Sequence, residues 1–266
     1  MTLELHLPWD GFYKGTRFDR SGIFRSLVYK GQELCGPWFQ RYDPFMHDAV
    51  QGPAEEFSPI ELDGLWLKPG VGLLRQDGQP YDRFKLYEIV NPGIWEADGT
   101  SFRHLLDGFY DYRKEIVVTG EDSFEIRHSL HGFVQMKGDV YNHNFFTMGK
   151  MGVTPSRAID FPFTPEGDWR AEYDCVGFTG GGIRFSRALR EGESVYTGNI
   201  HKAGEDGMPY ELTLREGPLS VRIKGDVPVI RTVMWANHRI ACAEPYNLID
   251  LAPGETFYWN IKYSLL

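Results

Sequence analysis

Apolar and polar residues alternate along several short segments of this chain. Residues 124–130 and 219–223 alternate along their whole length, and in the closing segment 257–263 every odd position carries a large apolar side chain. Alternation with period two puts one face of a segment into a core, which is typical of β-strands. No long stretch has the 3.6-residue period of an amphipathic helix. Further strand-like segments are residues 22–29, 84–90 and 116–118.

Glycine and proline separate these segments at short intervals. The chain has 30 glycines and 16 prolines in 266 residues, and turn sequences such as Asn91-Pro92-Gly93 follow the strand-like segments. Many short strands with such turns predict an all-β fold, either a sandwich or a barrel. There is no long linker, charge block or fixed-period repeat, so residues 1–266 are expected to form a single domain.

The region from residue 40 to residue 63 departs from this pattern. It is rich in proline, aspartate and glutamate, and it contains the acidic pair Glu55-Glu56. We expect a long loop here with a few short helical turns. Because disordered segments are poor in aromatic residues, the aromatic side chains in and around this loop predict that it folds over an open sheet face.

Charge and cysteine content exclude several classes of function. Lys and Arg total 28 and Asp and Glu total 37, which gives a net charge of −9 without any basic run. The phosphates of nucleic acids and anionic membranes would repel such a chain, so neither is an expected partner. Cys35, Cys175 and Cys242 are far apart in sequence and form no zinc or redox motif, so they are expected to be free, buried thiols.

The sequence also bears on cellular location. Residues 1–10 have neither the basic nor the apolar region of a signal peptide, and no apolar run is long enough to span a membrane. Together with the sparse cysteines, this predicts a cytoplasmic protein. A periplasmic protein whose signal peptide has been removed is the open alternative. Nothing in the sequence predicts the oligomeric state.

The stretch Asn142-His143-Asn144 is the first candidate for chemistry. It lies in a β-prone segment, where alternation puts His143 on one face with Tyr141 and Phe145 and the two asparagines on the other. An imidazole between amides and flat rings could act on a sugar. It could equally be a core histidine that is hydrogen-bonded by its neighbours, and the local sequence leaves both interpretations open.

Other candidate residues are dispersed along the chain. Common phosphate-binding, zinc-protease and serine-hydrolase motifs are absent, and the glycine run 180–182 is expected to form a tight turn. Glu244 lies among small apolar residues just before Pro245. Burial there would raise its pKa and make it a base near neutral pH, whereas a surface turn would leave it an ordinary glutamate. The polar side chains considered for a site are His47, Arg75, Arg83, His128, His143, Asp160 and Glu244.

Structural roles are open for several of these residues. Asp160 could bind a sugar hydroxyl or cap a turn. Arg75 and Arg83 flank a turn and could be ordinary surface arginines. His128 and His131 are three residues apart, which in a strand places them on opposite faces and argues against a shared metal ion.

Three parts of the chain together resemble the galactose mutarotase-like superfamily, the aldose 1-epimerases and their relatives. Residues 21–31, followed by residues 36–39, are similar to the opening hairpin of that superfamily and the loop after it. Residues 142–146, Asn-His-Asn-Phe-Phe, are similar to the motif that carries its catalytic histidine. Glu244 and residues 251–256 resemble its catalytic glutamate and its final turn.

The resemblance implies a fold and a mechanism. The fold is a large antiparallel β-sandwich, a supersandwich, with a concave face that binds sugar. Glu244 would take the proton from the anomeric hydroxyl, and His143, on the opposite side of the sugar ring, would protonate the ring oxygen. The ring would then open and reclose as the other anomer. A small carbohydrate is the implied partner, and no cofactor is implied. The implied substrate-binding candidates are His47, Arg75, Arg83, His128, Asp160 and Trp38.

The chain also departs from the superfamily. Asn144 stands where a threonine or serine often follows the histidine, and the second histidine and the arginine of the sugar site have only candidates here, such as His47. Residues 51–57 stand where related phosphosugar mutarotases have a histidine-glycine-phenylalanine motif. The acidic Glu55 and Glu56 in this segment would repel a phosphate, so a neutral sugar is the expected substrate.

Two other functions remain open on the same fold. A lyase would use a tyrosine such as Tyr141, or a histidine, to abstract a proton next to a uronate carboxylate. It would need positive charge that a net charge of −9 does not suggest. A non-catalytic sugar-binding protein would use aromatic platforms such as Trp38, Trp66 or Trp95. The epimerase interpretation expects His143 and Glu244 to face each other across one pocket, about a pyranose ring apart, and positions on opposite faces of the sheet would argue against it.

Overall fold

The structure is a computed structural model that describes residues 1–149, 152–202 and 208–266. All regular secondary structure in these ranges is β-strand, and they contain no helix long and apolar enough to cross a membrane. In chain order the strands are β1 (Thr2–Leu5), β2 (Phe24–Tyr29), β3 (Gln32–Glu33), β4 (Gly52–Phe57), β5 (Ile60–Leu62), β6 (Leu65–Lys68), β7 (Gly72–Arg75), β8 (Ile89–Asn91), β9 (Ile94–Asp98), β10 (Ser101–Leu106), β11 (Tyr110–Gly120), β12 (Ser123–Gly132), β13 (Met136–Phe145), β14 (Arg157–Asp160), β15 (Pro165–Trp169), β16 (Val176–Thr179), β17 (Gly182–Phe185), β18 (Ser194–Lys202), β19 (Glu211–Glu216), β20 (Leu219–Gly225), β21 (Arg231–Asn237), β22 (Ala241–Leu251) and β23 (Thr256–Leu265).

Two large sheets form most of the structure. One has ten strands in the order β16-β17-β14-β19-β20-β23-β12-β11-β10-β9, and the other has six in the order β15-β18-β21-β22-β13-β4. Two smaller sheets have the orders β1-β2-β3 and β5-β6-β7-β8. Neighbouring strands are antiparallel throughout the two large sheets. The predicted antiparallel β-sandwich is confirmed.

The main core lies between the two large sheets. On β12 the even-numbered residues from 124 to 130 are buried and the odd-numbered ones are at least partly exposed, and on β23 the odd-numbered residues from 259 to 263 are buried. Phe57 of the six-stranded sheet meets Tyr112 of the ten-stranded sheet edge-on, with ring centroids 5.2 Å apart. The alternation predicted for these two segments is therefore confirmed, and it directs their apolar side chains into the sandwich.

Strand β13 is buried on both faces. Its neighbours in the six-stranded sheet are β22 and β4, and residues 140–145 are all buried. Its inner face points into the sandwich, where Tyr263 donates a 2.7 Å hydrogen bond to Asn142. Its outer face is covered by a second apolar cluster, to which Phe18 and Trp38 contribute from the N-terminal loops. The candidate motif is thus enclosed between the sandwich core and these loops.

The prediction for residues 40–63 was wrong in part. Residues 40–51 are irregular, as expected, with two single turns in which Met46 N–H binds Asp43 O and Ala49 N–H binds Met46 O. Residues 52–57, by contrast, form β4, which pairs with β13. Pro53 and the two adjacent glutamates conceal this strand in the sequence. Proline is tolerated because β4 is an edge strand, so an N–H group on its outer side needs no ladder partner.

Two shorter predictions have different outcomes. Of the predicted strand 84–90, only the last residues belong to a strand, β8, and Phe84 lies exposed on a loop. The glycine run makes the predicted tight turn, because Gly180 and Gly181 connect β16 to β17. Gly180 has a φ of +63°, a left-handed conformation that glycine adopts without strain.

Glu55 of β4 points into the sandwich and lies at the centre of a buried ionic cluster. Lys114 of β11 binds it and is also 3.4 Å from Asp19, and Asn142 donates a 2.9 Å hydrogen bond to it. Burial raises the pKa of Glu55, but Lys114 and His128 outweigh this effect and hold that pKa well below its usual range. The cluster therefore joins the N-terminal segment to both large sheets.

We expect Lys114→Met to lower the free energy of unfolding by about 3–5 kcal/mol, because it leaves two buried carboxylates without their cation. Lys137→Met is the matched control. Lys137 is exposed and 3.8 Å from Asp250, so its loss should cost less than about 1 kcal/mol. Urea denaturation measures both variants. Equal losses would contradict a central role for the buried cluster.

Candidate active site

Strands β13 and β22 bring His143 and Glu244 together although they are far apart in sequence. The two strands are antiparallel, with Tyr141 opposite Tyr246, and continuing that register by two residues places His143 opposite Glu244. Regular pairing stops at Tyr141, next to Pro245, which has no N–H group to donate. His143 Nε2 and Glu244 Oε1 are 3.2 Å apart, and both side chains are buried.

Aromatic rings hold the imidazole of His143 in place. It stacks on Phe145 with ring centroids 3.7 Å apart and an interplanar angle of 2°, and the edges of Phe18 and Trp235 complete its surroundings. Its Nδ1 is buried and has no hydrogen-bond partner in the part of the chain that the structure describes. A proton on Nδ1 would therefore lack an acceptor, so hydrogen bonding favours a proton on Nε2, where Glu244 can share it.

Burial shifts the pKa values of this pair in opposite directions. It raises the pKa of the Glu244 carboxyl to about 7 and lowers the pKa of His143 well below its usual value. The nearby guanidinium groups of Arg17 and Arg83 oppose the increase at Glu244 and add to the decrease at His143. In mildly acidic solution the pair therefore holds a single titratable proton, which these shifts place mainly on the Glu244 carboxyl.

Glu56, the second carboxylate of β4, points to the outer face beside this pair. It accepts a 2.5 Å hydrogen bond from Arg17 Nε and another from the Tyr141 hydroxyl, and Arg83 Nε is 3.6 Å from its other oxygen. Arg17 and Arg83 also donate to the Tyr141 oxygen, at 2.8 and 3.2 Å. Glu56 thus holds two arginines against the pocket.

The His143–Glu244 pair lines a pocket of about 180 Å³ between the six-stranded sheet and the N-terminal loops. Asp48 Oδ1 is buried there and has no hydrogen-bond partner among the described residues, and Asp48 Oδ2 is 3.5 Å from His47 Nε2. A buried acceptor without a partner is suited to a hydroxyl group of a ligand. The remaining walls include Trp38, Phe84, Arg170, Tyr196 and Trp235.

Five of the eight predicted site residues line this pocket: His143, Glu244, His47, Arg83 and Trp38. The indole of Trp38 is fixed by its own contacts. It stacks on Phe145 at 5.1 Å and donates a 2.9 Å hydrogen bond from Nε1 to the carbonyl of Val50. Burial lowers the pKa of His47, so this imidazole is mainly neutral near pH 7.

Arg75 and Asp160 lie outside the pocket, which corrects their assignment to it. Arg75 is exposed at the end of β7, where its Nε is 2.6 Å from Glu88. Asp160 ends β14 in the ten-stranded sheet, where it pairs with Arg184 at 2.5 Å and with Arg215. Both residues have partners of opposite charge and make ordinary cross-strand ion pairs.

His128 is also misassigned, because it lies inside the sandwich. Its ring stacks on Trp259 with centroids 4.4 Å apart, and its Nε2 is 3.3 Å from Glu55. His128 therefore belongs to the buried ionic cluster and not to the pocket. His131 is on the opposite face of β12, as the strand alternation predicts.

Two of the proposed aromatic platforms pack elsewhere. Trp66 meets Tyr81 edge-on at 5.9 Å in a small separate cluster, and Trp95 stacks on His104 at 4.1 Å in the ten-stranded sheet. Neither lines the pocket that holds His143 and its partner glutamate.

The acidic pair of β4 does not repel an anion from the pocket, contrary to the expectation from the sequence. Glu55 faces the interior of the sandwich and is bound by Lys114. Glu56 is buried and is bound by Arg17. The expectation of a neutral sugar, which depended on these two carboxylates, loses its physical basis.

Sequence reasoning missed several pocket residues, among them Arg17, Asp48, Arg170 and Tyr196. Of these residues only Asp48 could have been suggested by the sequence, because it adjoins the candidate His47 in the aromatic-rich loop. Arg170 follows β15 directly, and the pairing of β15 with β18 brings it onto the ring of Tyr196, 4.4 Å away. No local pattern reveals such a contact.

A larger concavity of about 560 Å³ lies on the outer face of the ten-stranded sheet. Its charged side chains are paired across neighbouring strands, as Arg103 is with Asp111 at 2.9 Å and Arg127 with Glu115 at 3.7 Å. Paired, solvated charges of this kind are ordinary for a sheet surface. In the described ranges, no group of three or more His, Cys, Asp or Glu side chains could hold a metal ion. The smaller pocket is therefore the candidate active site.

Known proteins resemble this chain in fold. No family model and no curated protein matches its sequence. A galactose mutarotase-related enzyme from Lactobacillus acidophilus aligns with a TM-score of 0.53 at 13% identity, over 96% of each chain. A galactose mutarotase-like protein from Clostridium acetobutylicum aligns with 0.52 at 13% identity, over 92% of this chain and 89% of that one. An aldose epimerase homologue from C. elegans aligns with 0.53 at 12% identity, over 96% and 97%.

The chain has the galactose mutarotase-like fold. The structural likeness extends over almost its whole length, and it confirms the superfamily resemblance at the level of the fold. Identities of 12–13% carry no activity from those proteins to this one. What this chain does depends on its own pocket.

The shifted pKa of Glu244 predicts a specific pH dependence of stability. Its folded-state pKa of about 7 lies above the unfolded-state value of about 4.3, so the folded protein binds the extra proton between these two values. The free energy of unfolding therefore falls as the pH rises through this window. Glu244→Gln should be more stable than the wild type by about 2–4 kcal/mol at about pH 9, and this difference should almost vanish at about pH 4.

Urea denaturation at several pH values measures this difference. Glu166→Gln is the control, because Glu166 is exposed and should show no such pH dependence. A stability difference between Glu244→Gln and wild type that is the same at all pH values would contradict the raised pKa.

Proposed function

We propose that the protein is a mutarotase that interconverts the α and β anomers of an aldose. The observation that carries the proposal is the 3.2 Å separation of His143 Nε2 and Glu244 Oε1 inside a pocket of about 180 Å³. This volume is below the range for drug-sized ligands, about 300–1,000 Å³, and suits a single sugar ring. The pair supplies an acid and a base at one point, which is what anomeric ring opening requires.

The geometry of the pair fits one edge of a sugar ring. The anomeric oxygen O1 and the ring oxygen O5 are bonded to the same carbon, C1, so they are closer together than the two protein atoms. One group can therefore contact O1 while the other contacts O5. This differs from the expectation that His143 and Glu244 lie on opposite sides of the ring, since atoms 3.2 Å apart leave no room for a ring between them.

Proton transfer along this edge opens the ring. In the reactive state the titratable proton has moved from Glu244 to His143, so an imidazolium faces a carboxylate. The Glu244 carboxylate accepts the O1 proton, and His143 Nε2 donates its proton to O5 and leaves a neutral imidazole. The C1–O5 bond breaks, and C1 becomes the carbonyl carbon of an open aldehyde. Rotation about C1–C2 followed by the reverse transfers closes the ring as the other anomer. In each half of the cycle one residue takes a proton from the sugar and the other gives one to it, so no external acid or base is needed.

The pocket walls support a polyhydroxylated ligand. The orphaned Asp48 Oδ1 can accept a hydrogen bond from a sugar hydroxyl, and His47 adjoins it. By contrast, Tyr141 is poorly suited to the base of a lyase. It is buried, its oxygen is engaged by Glu56 and two arginines, and burial raises its pKa well above the usual value.

We expect the wild-type protein to accelerate α/β interconversion, and we expect His143→Ala and Glu244→Gln each to reduce kcat by about 10²–10⁴-fold, because each removes one proton-transfer group. Exchange NMR between the anomeric signals of an aldose measures the rate. His201→Ala and Glu166→Gln are matched controls, since both side chains are partly exposed and lie outside the pocket.

Each alternative gives a different result in the same experiment. Sugar binding without faster interconversion would contradict the proposal and favour a binding protein. If the protein acts on uronate polymers and forms an unsaturated product, ultraviolet absorbance will rise, and this result would favour a lyase. Wild-type rates in both site variants would exclude the pair as the reacting groups.

The pKa shifts also predict the pH profile. The active pair holds one proton, which leaves as the pH rises through about 7. The value of kcat/KM should therefore be level in mildly acidic solution and fall about tenfold per pH unit above the apparent pKa. The second proton binds only well below the usual pKa of histidine. A rate that rises through pH 7 would show that the carboxylate acts without the shared proton.

A further inference from the structure

The candidate pocket carries positive charge although the chain has a net charge of −9. Three arginines line it: Arg17, Arg83 and Arg170. Two acidic residues line it as well: Asp48, which adjoins His47, and Glu244, whose pKa is raised to about 7 by burial. The charge of the pocket is therefore opposite in sign to that of the whole chain.

Glu56 does not neutralise the cations around it. Arg17 binds it at 2.5 Å and Arg83 lies 3.6 Å away, while the buried Lys68 is also within its electrostatic reach. Burial lowers the pKa of Lys68 to about 7, and the two arginines contribute to this decrease. Even with Lys68 neutral, two guanidinium groups share Glu56, and Asp139, the other carboxylate that Arg83 influences, is itself 3.6 Å from Arg231.

Arg170 is an exposed residue that adds a further charge at the pocket. In the part of the chain that the structure describes, its side chain makes no ion pair and stacks on Tyr196 at 4.4 Å. The guanidinium of Arg83 lies 5.4 Å from the ring of Tyr141. Tyr141 and Tyr196 pack in one cluster with Val233 and Tyr246, and Arg83 and Arg170 both line the pocket. Two forked donors that line one cavity are suited to a carboxylate.

Arg83 lies near the proposed acid, because its charge contributes to lowering the pKa of His143. The ring of Tyr141 is 6.2 Å from the ring of His143. In an aldopyranose, the ring oxygen O5 is bonded to C5, which carries C6. When O5 faces His143 and O1 faces Glu244, the C6 group can extend past the imidazole towards the tyrosine cluster. This orientation directs the C6 group to the side of Tyr141, whose hydroxyl Arg83 contacts at 3.2 Å, while Arg170 lines the same pocket.

We propose that the substrate is a hexuronic acid, an aldose whose C6 is a carboxylate, and that Arg83 and Arg170 bind this carboxylate. The proposal rests on the mutarotase function proposed above and adds the substrate class. A carboxylate fits better than a C6 phosphate for two reasons: it adds little volume in a cavity of about 180 Å³, and its single charge matches the small local excess of positive charge.

The test compares anomer interconversion of glucuronate and galacturonate with that of glucose, galactose and glucose 6-phosphate by exchange NMR. We expect the highest kcat/KM for a uronate, and a uronate KM that rises with ionic strength. Arg83→Gln and Arg170→Gln should each lower the ratio of uronate to neutral-sugar kcat/KM by about ten- to a hundredfold, the effect of losing a hydrogen bond to a charged group. Arg75→Gln, an exposed arginine outside the pocket, is the matched control and should leave the ratio unchanged.

The possible failures are distinguishable. Faster interconversion of neutral sugars than of uronates would overturn the inference and leave the mutarotase proposal intact, and the same holds if glucose 6-phosphate is fastest. If no sugar is accelerated, the mutarotase proposal fails, and calorimetric titration with glucuronate and galacturonate tests the carboxylate site alone. Binding that weakens in Arg83→Gln and Arg170→Gln but not in Arg75→Gln would support that site, and absence of uronate binding would overturn it.

Discussion

The burial of two adjacent carboxylates on one edge strand is the constraint on which much of this structure depends. Glu55 and Glu56 point to opposite faces of β4, and neither is exposed to solvent. A buried carboxylate is costly unless cations and hydrogen-bond donors surround it. Lys114 meets this need on the inner face and Arg17 on the outer face. One strand thereby fixes both the packing of the sandwich and the position of the arginines beside the pocket.

The N-terminal segment connects these two requirements. Asp19 joins Lys114 inside the sandwich, and two residues earlier Arg17 binds the outer carboxylate. Phe18, between them, packs edge-on against the ring of His143. The same loops exclude water from the acid–base pair, and this desolvation raises the pKa of Glu244 and lowers that of His143. Burial that costs folding free energy is thus also what makes the pair chemically useful near neutral pH.

Regular alternation made the fold class predictable, because a strand that faces the core on one side carries its own signal. Residues 124–130 and 257–263 are examples, and the alternation around His143 placed its side chain on the correct face. Strand β4 gave no such signal. It is buried on both faces, it contains a proline that only an edge position tolerates, and its glutamates depend on cations from distant segments. Whether these residues form a strand depends on tertiary contacts, so the local sequence pattern does not predict it.

The same limit explains why the chemical character of the pocket differed from expectation. Net charge sums over a surface on which most charges are paired or screened, whereas a pocket responds to the few groups that burial leaves uncompensated. Here two guanidinium groups share Glu56, and Arg170 reaches the pocket only through strand pairing. An acidic chain can therefore present a cationic cavity. Glu55 and Glu56 argued against an anionic ligand when only the sequence was considered. In the structure Glu55 faces the sandwich interior, and Glu56 holds arginines at the pocket.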